Sequence, residues 1–267
     1  MNAGYLRFLE SIPSSPPGEC SYYPDRISKV KGFLSKKPPN LSALDFLLAS
    51  GFRRSGELFY RTACDSCIHC LSYRIPLHQF TISKSLKRLG KRNVDLIPSV
   101  HSPEMTPEKA ELYVKYQNAR HPGSYGNTDS ELQETMFGQM YLGSENSVEL
   151  QIRKEGRLLG WILLDCGEVA VSAVYSVFDS EFHTRSLGKF LILASLLWAK
   201  EKGFLEYHLG LFLPGHPKMD YKGFWKPAEI LDQRTGNWIE SRKFLADYLE
   251  KAGQDGSRSE PKSPYDT

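Results

Sequence analysis

The sequence predicts an α+β fold in two lobes. Three observations predict it. Hydrophobic repeats of helical period alternate with short runs rich in β-branched and aromatic residues. A cysteine loop, Cys64-x-x-Cys67-x-x-Cys70, sets the first part of the chain apart. The stretch His101-Ser102-Pro103-Glu104-Met105-Thr106-Pro107 then reads as a break before a longer series of helices and strands. The expected units are an irregular lead-in over 1–18, an N-terminal lobe with the cysteine loop and a basic segment over 19–100, a linker over 101–107, a C-terminal lobe over 108–252 and a disordered tail over 253–267. The tail is polar and buries too little apolar surface to offset its ordering entropy.

In chain order, residues 41–49 read as a helix with Leu44, Leu47 and Leu48 on one face, Asn40 or Ser42 as cap and Gly51 as its end. Residues 58–61 and 72–75 read as strands flanking the cysteine loop. Residues 80–89 turn basic and become helical near Ser83. Residues 108–120 form a helix with Leu112, Tyr116 and Ala119 at helical spacing. Strands follow over 148–153, 158–165 and 169–178, with Gly156 and Gly167 marking the turns. The strongest helix is 186–202, where Leu187, Phe190, Leu191, Ala194, Leu197 and Trp198 repeat on one face. Gly203 closes it, 205–211 reads as a strand, and 241–251 as a terminal helix.

Of 267 residues, 40% are hydrophobic and 24% charged, which excludes disorder along the whole chain. No apolar run approaches the roughly 18 residues of a membrane span. The N-terminus lacks the apolar core of a signal peptide. The expected location is the cytoplasm, where the five cysteines stay reduced and favour metal binding or chemistry over disulfides. The expected state is a monomer. Net charge is only +3, but Lys84, Lys87, Arg88, Lys91 and Arg92 crowd one short stretch. Such a face suits a phosphate backbone, although alone it is more often a solvated helix face.

Three further patterns carry chemistry. Cys64, Cys67 and Cys70, with Cys20 upstream, supply four thiolates for a structural zinc or an iron–sulfur cluster; the bland alternative is packed thiols without metal. Gly51-Phe52-Arg53-Arg54-Ser55-Gly56, followed by Tyr60-Arg61, places adjacent arginines between glycines, which suits a carboxylate or phosphate. The order of elements from residue 108, with Arg185-Ser186-Leu187-Gly188-Lys189-Phe190 at the start of the long helix, resembles the Gcn5-related N-acetyltransferases. Those acyltransferases hold an anion on the N–H groups of that helix. Phe190 stands where they place a small residue, which argues against a close-fitting coenzyme A pyrophosphate.

Taken together, Glu19 to Pro24, Gly51 to Gly56, the cysteine loop, Ser83 to Arg88, Tyr113 to His121, Ser186 to Gly188 and Pro217 to Gly223 resemble the arginyl-tRNA–protein transferases. They resemble still more the bacterial relatives that transfer leucine to proteins starting with aspartate or glutamate. The resemblance spans roughly residues 18 to 240. It implies acyltransferase-like architecture, an aminoacyl-tRNA donor, an acceptor protein with N-terminal Asp or Glu, and a product marked for degradation through the N-degron pathway. The cysteine loop is closer to the leucyl-transferases and Pro217 to Gly223 closer to the arginyl-transferases, so leucine is the favoured donor amino acid and arginine the alternative. The eukaryotic relatives carry Cys-x-x-Cys in the first segment; here its second cysteine is Tyr23.

An aminoacyl-tRNA is an activated ester, so transfer requires alignment, loss of a proton and oxyanion stabilisation, and no cofactor. The acceptor residues expected are Arg53, Arg54, Tyr60, Arg120 and His121. Lys84, Lys87, Arg88, Arg92, Arg185 and Gly188 are expected on the tRNA. Tyr175, Tyr207, Asp220, Tyr221 and Lys222 are expected near the reacting ester, with no one of them assigned as base. The rivals are a coenzyme A-dependent N-acetyltransferase and a non-catalytic RNA-binding module with a structural zinc.

Overall fold

The computed structural model describes residues 3–123 and 128–254. Its elements in order are α1 (Ala3–Ser11), β1 (Gly18–Glu19), β2 (Ile27–Ser28), β3 (Val30–Leu34), α2 (Leu41–Ala49), β4 (Arg53–Ser55), β5 (Leu58–Thr62), β6 (Leu71–Pro76), α3 (Lys84–Arg92) and β7 (Ile97–His101). There follow α4 (Pro107–Arg120), α5 (Asp129–Met136), a π turn (Phe137–Tyr141), β8 (Ser147–Lys154), β9 (Arg157–Cys166), β10 (Ala170–Phe178) and a 3-10 segment (Ser180–Arg185). The described residues end with α6 (Leu187–Glu201), β11 (Glu206–Phe212), a second 3-10 turn (Asp220–Phe224), β12 (Glu229–Asp232), β13 (Asn237–Glu240) and α7 (Ser241–Gln254).

The α+β class holds, and the helices and strands expected from hydrophobic period are present. Asn40, Ser83 and Thr106 cap α2, α3 and α4 through their side chains, which is why those helices begin where they do. The division into two lobes is different from the expectation. One sheet of eight strands runs β13-β12-β6-β11-β10-β9-β8-β7, so β6 and β7 from the expected N-terminal lobe are built into the sheet of the C-terminal one. Tyr73 and Ile75 of β6 are buried, and that strand finds neighbours on both edges only by lying between β12 and β11. Only β3, β5 and β4 form a separate small sheet of N-terminal strands, beside the β1–β2 pair.

Two boundaries shift as well. The expected irregular lead-in is helical over α1, where Phe8 and Leu9 pack on Leu44, Leu47, Leu48, Phe52 and Phe59. The expected linker begins on the last residue of β7 and ends on the first of α4. Of the expected tail, residues 255–267 lie outside the described residues. Among the described residues no helix is long and apolar enough to cross a membrane.

The sheet opens at one place. β10 and β11 run parallel but pair only over Ala170↔Glu206, Val171↔Tyr207 and Ser172↔His208. Past that point β10 shifts register against β9 between Ala173 and Tyr175, and β11 shifts against β6 between His208 and Gly210. Gly210 has φ +78, a conformation side chains other than hydrogen resist. The two strands part there, leaving backbone polar groups without a strand partner at the centre of the sheet.

Candidate active site around the parted strands

A cleft of about 610 Å³ lies beside the parted strands, at the start of α6. Tyr116, Phe178, Phe182, Leu187 and Ile192 give it apolar walls, and Arg120, His121, His183, Lys189 and Lys218 a basic rim. Ser186 takes a left-handed conformation and makes no side-chain cap. The first N–H groups of α6 are therefore available to an anion. Burial, then the charges of Lys218 and Arg120, lower the His121 pKa, so that imidazole favours its neutral form.

A second, smaller pocket sits where β10 and β11 separate. Leu48, Phe52, Arg53, Tyr73, Ser172, His208 and Gly210 line it. Arg53 donates from Nη2 to the Tyr60 hydroxyl at 2.8 Å, with the Tyr60 ring 4.8 Å from its guanidinium. Its Nε is buried without a partner. Lys222 is buried and donates to the Leu211 carbonyl at 2.7 Å. Burial, and then the Arg53 charge, push its pKa down to about 7. Both cations converge on the glycine of β11: a Cβ at Gly210 would lie 3.6 Å from Arg53 Nη1 and 3.6 Å from Lys222 Nζ. Tyr221, next to Lys222, lines the larger cleft, so the second 3-10 turn bridges the two spaces.

Of the residues expected at the site, Arg53, Tyr60, Arg120, His121, Tyr221 and Lys222 come together around this opening. Others do not. Arg54 is turned into the core, where it donates to both oxygens of Asp165 at 2.8 Å and to the Leu142 carbonyl at 2.8 Å. A strand alternates its faces, so adjacent arginines on β4 cannot share one pocket. Tyr207 is fully buried and bonded to Ser195 Oγ at 2.6 Å, on the face toward α6. The Tyr175 hydroxyl accepts from Gln117 Nε2 at 2.9 Å, against α4. Asp220 Oδ1 accepts from the Gly215 N–H at 2.8 Å and holds the turn before it.

The residues expected on tRNA divide likewise. Lys84, Lys87, Arg88 and Arg92 are exposed along α3. The end of that helix is tied to the cleft: Arg92 donates to the Thr184 carbonyl at 2.9 Å, and Asn93 to the Arg185 carbonyl at 3.0 Å. The basic face thus runs to the rim. Arg185 itself is held by Asp95 at 2.7 and 2.8 Å and does not line the cleft. Gly188 does, but a Cβ there would stand 2.7 Å from the Phe178 ring. The glycine therefore serves helix–strand packing. Phe190, as its bulk requires, is in the core.

The four cysteines expected as metal ligands lie near one another. Burial, and then the thiols of Cys67, Cys20 and Cys64, push Cys70 up to about 12, so the four lie in one neighbourhood. Cys64 Sγ accepts the Lys29 N–H at 3.4 Å, and Arg26 reaches Cys67 Sγ at 3.7 Å. His69, in the same loop, bonds the Tyr248 hydroxyl. Among the described residues no group of three or more His, Cys, Asp or Glu is placed to hold a metal ion.

Sequence reasoning missed His208, Ser172, Lys189 and Lys218. The signal for His208 was present: a lone histidine in the alternating strand Tyr207-His208-Leu209, one residue from the tyrosine chosen and therefore on the opposite face.

Comparison with known proteins places the chain in a family. The family model described as arginine-tRNA-protein transferase matches in two parts, its N terminus over residues 18–88 and its C terminus over 108–232. An aspartate/glutamate leucyltransferase of Leptospira interrogans is 44% identical over 90% of this chain and 95% of its own length. One of Stenotrophomonas maltophilia is 35% identical over 80% of this chain and 87% of its own. Two solved structures are distantly similar. The C-terminal domain of a lysylphosphatidylglycerol synthetase from Agrobacterium fabrum has 15% identity and a TM-score of 0.41, covering 68% of this chain and 54% of that one. FemX has 12% identity and a TM-score of 0.40, covering 68% and 63%. The matched segments contain the start of α3, the cleft and the Arg53–Lys222 pocket, and on that extent of likeness the chain belongs to the arginine-tRNA–protein transferase family and is an aminoacyl-tRNA–protein transferase.

Proposed function

We propose that the chain transfers leucine from leucyl-tRNA to the α-amine of proteins that begin with aspartate or glutamate. The observation that carries this is the convergence of Arg53 and Lys222 on Gly210, with no carboxylate in ion-pair distance of either among the described residues. Lys222 is buried and Arg53 half-buried, and two cations so close cost free energy unless an anion joins them. The side-chain carboxylate of an acidic first residue is such an anion, and an apolar or basic one is not. The relatives from Leptospira and Stenotrophomonas carry this acceptor class in their names.

The cleft suits the donor. The N–H groups of α6, with Arg120, Lys189 and Lys218, face the phosphates of a 3′ terminus, and α3 continues the positive track toward the tRNA body. The only carboxylate lining the cleft among the described residues is Asp179, already ion-paired with Lys115 at 2.9 Å and Arg157 at 2.6 Å. A guanidinium side chain finds no partner there, whereas Leu187, Ile192 and Phe178 receive leucine. Coenzyme A is disfavoured because Gly188 is filled by Phe178.

In the transfer, the amine nitrogen bonds to the ester carbonyl carbon, and the bond to the ribose oxygen of the tRNA breaks. The ester supplies the driving force, so no cofactor is needed. The N–H groups exposed where β10 and β11 part are placed to receive the oxyanion. The setting is the cytoplasm, the chain works as a monomer, and the leucylated protein becomes a degradation substrate. The test is mass spectrometry of Asp-, Glu- and Ala-starting peptides incubated with the chain and leucyl- or arginyl-tRNA. A leucine mass increment on the acidic peptides alone is expected; modification of none, or of all three equally, overturns the reading.

A further inference from the structure

His208 and Ser172 are the last residues paired between β10 and β11 before the strands separate. His208 is 5% exposed and lines the same pocket as Arg53 and Gly210. Its Nε2 lies 3.1 Å from Glu206 Oε2. An ionised carboxylate only accepts, so Nε2 carries the hydrogen and Nδ1 the lone pair. Glu206 is held in turn. Arg74 Nη1 donates to its other oxygen at 2.6 Å, and Arg74 Nε donates to Glu229 at 2.8 Å. The Trp238 ring meets both His208, at 5.3 Å, and the Arg74 guanidinium, at 4.3 Å. A base oriented by a carboxylate that is itself fixed by a second pair is the arrangement proton transfer requires.

Resting on the proposed acceptor and donor, we infer that His208 is the proton carrier of the transfer and that Glu206 positions it. With the acceptor carboxylate held by Arg53 and Lys222, its α-amine, a few bonds away, would approach the mouth of the small pocket that His208 lines. The neutral amine attacks the ester carbonyl and the C–N bond forms. His208 Nδ1 takes one N–H proton from the cationic adduct. The adduct then expels the ribose oxygen as the C–O bond breaks, and His208 returns the proton to that oxygen. Nothing else is consumed.

The charged groups around the ring agree with this role. Burial lowers the His208 pKa, Glu206 opposes that, Arg74 adds to it, and Asp45 of α2 opposes it weakly; Arg53 faces the same pocket from β4. The ring is thus neutral at pH 7 and able to accept.

The experiment is the pH profile of kcat with saturating leucyl-tRNA and an Asp-starting peptide, for wild type, His208→Gln and Glu206→Gln, with thermal unfolding measured alongside. His208→Gln should lower kcat by roughly 100-fold or more, leave KM for the peptide within about threefold, and remove from the acidic limb the part due to the imidazole, leaving only that of the peptide amine. Glu206→Gln should lose less and move the acidic limb to lower pH, because the imidazolium loses its carboxylate. If His208→Gln does not fold, the displaced limb in Glu206→Gln decides alone. An unchanged limb in Glu206→Gln, or full kcat in a folded His208→Gln, overturns the assignment. Absence of leucyl transfer by wild type would instead overturn the proposed function, so the two failures are distinct.

Discussion

Arg54 and Asp165 are 111 residues apart in sequence and form a doubly hydrogen-bonded ion pair, 2.8 Å on each arm, with both side chains almost wholly buried. Ser147 Oγ adds a bond to Asp165 Oδ1 at 2.6 Å, and the Arg54 guanidinium also reaches the carbonyls of Gly56 and Leu142. The pair ties the small N-terminal sheet to β9 of the large one. Removing one partner leaves the other charged and buried, which costs about 3–5 kcal/mol. Arg54→Met should therefore unfold at lower denaturant than wild type by that amount, while the soluble fraction keeps its preference for acidic acceptors. The double variant Arg54→Met with Asp165→Leu should recover part of the loss.

Arg53, one residue away, behaves in the opposite manner. Its side chain lies over Tyr60 at the pocket, and no buried carboxylate depends on it. Arg53→Ala should reduce kcat/KM for Asp-starting peptides by roughly 10- to 100-fold, the worth of a charge-assisted bond of about 1.5–3 kcal/mol. Chemical denaturation should shift little. A variant that loses stability and keeps its peptide KM would remove Arg53 from the acceptor pocket.

Lys222 links acceptor binding to pH. Its pKa in the folded chain is about 7, against 10.5 for an exposed lysine, and burial is the main cause. Between those values the unfolded chain holds a proton that the folded chain lacks. Stability from this group accordingly rises as pH climbs from 7 to 10.5 and is lowest below 7. Lys222→Met should raise the melting temperature at pH 6 and raise it progressively less toward pH 10. An acidic acceptor binds the protonated amine, so the wild-type KM for Asp-starting peptides should climb above pH 7. In Lys222→Met it should be high and pH-independent. Fluorescence melts and peptide titrations across pH 6–9 check both.

The α3 face should govern tRNA and not peptide. Lys87→Glu with Arg88→Glu should weaken leucyl-tRNA binding and flatten its salt dependence, by a slope of about 0.7 to 0.9 for each phosphate no longer neutralised. Both side chains are exposed, so stability should hold. Discrimination between Asp- and Ala-starting peptides should be unchanged. Filter binding over a salt series provides the measurement; equal slopes in the variant and wild type would move the tRNA path elsewhere.

Local chemistry made much of this chain legible before any coordinates. The cap at Asn40 or Ser42, the helical start near Ser83, the apolar repeat of α6 and the turn glycines each act on neighbours a few residues away, and a linear pattern records such effects directly. The family resemblance was legible for the same reason, since Gly51 to Gly56 and Pro217 to Gly223 are contiguous. Tertiary structure alone decided four things. Arg53 reaches the pocket and Arg54 the core, because β4 pairs with β5 in one register and presents successive residues to opposite sides. His208 faces the opening while Tyr207 faces Ser195, for the same reason on β11. Arg185 is spent on Asp95, and β6 enters the large sheet between β12 and β11, through contacts that span many tens of residues. Residue type says that an arginine will seek an anion; which anion it finds depends on what distant part of the chain folds beside it.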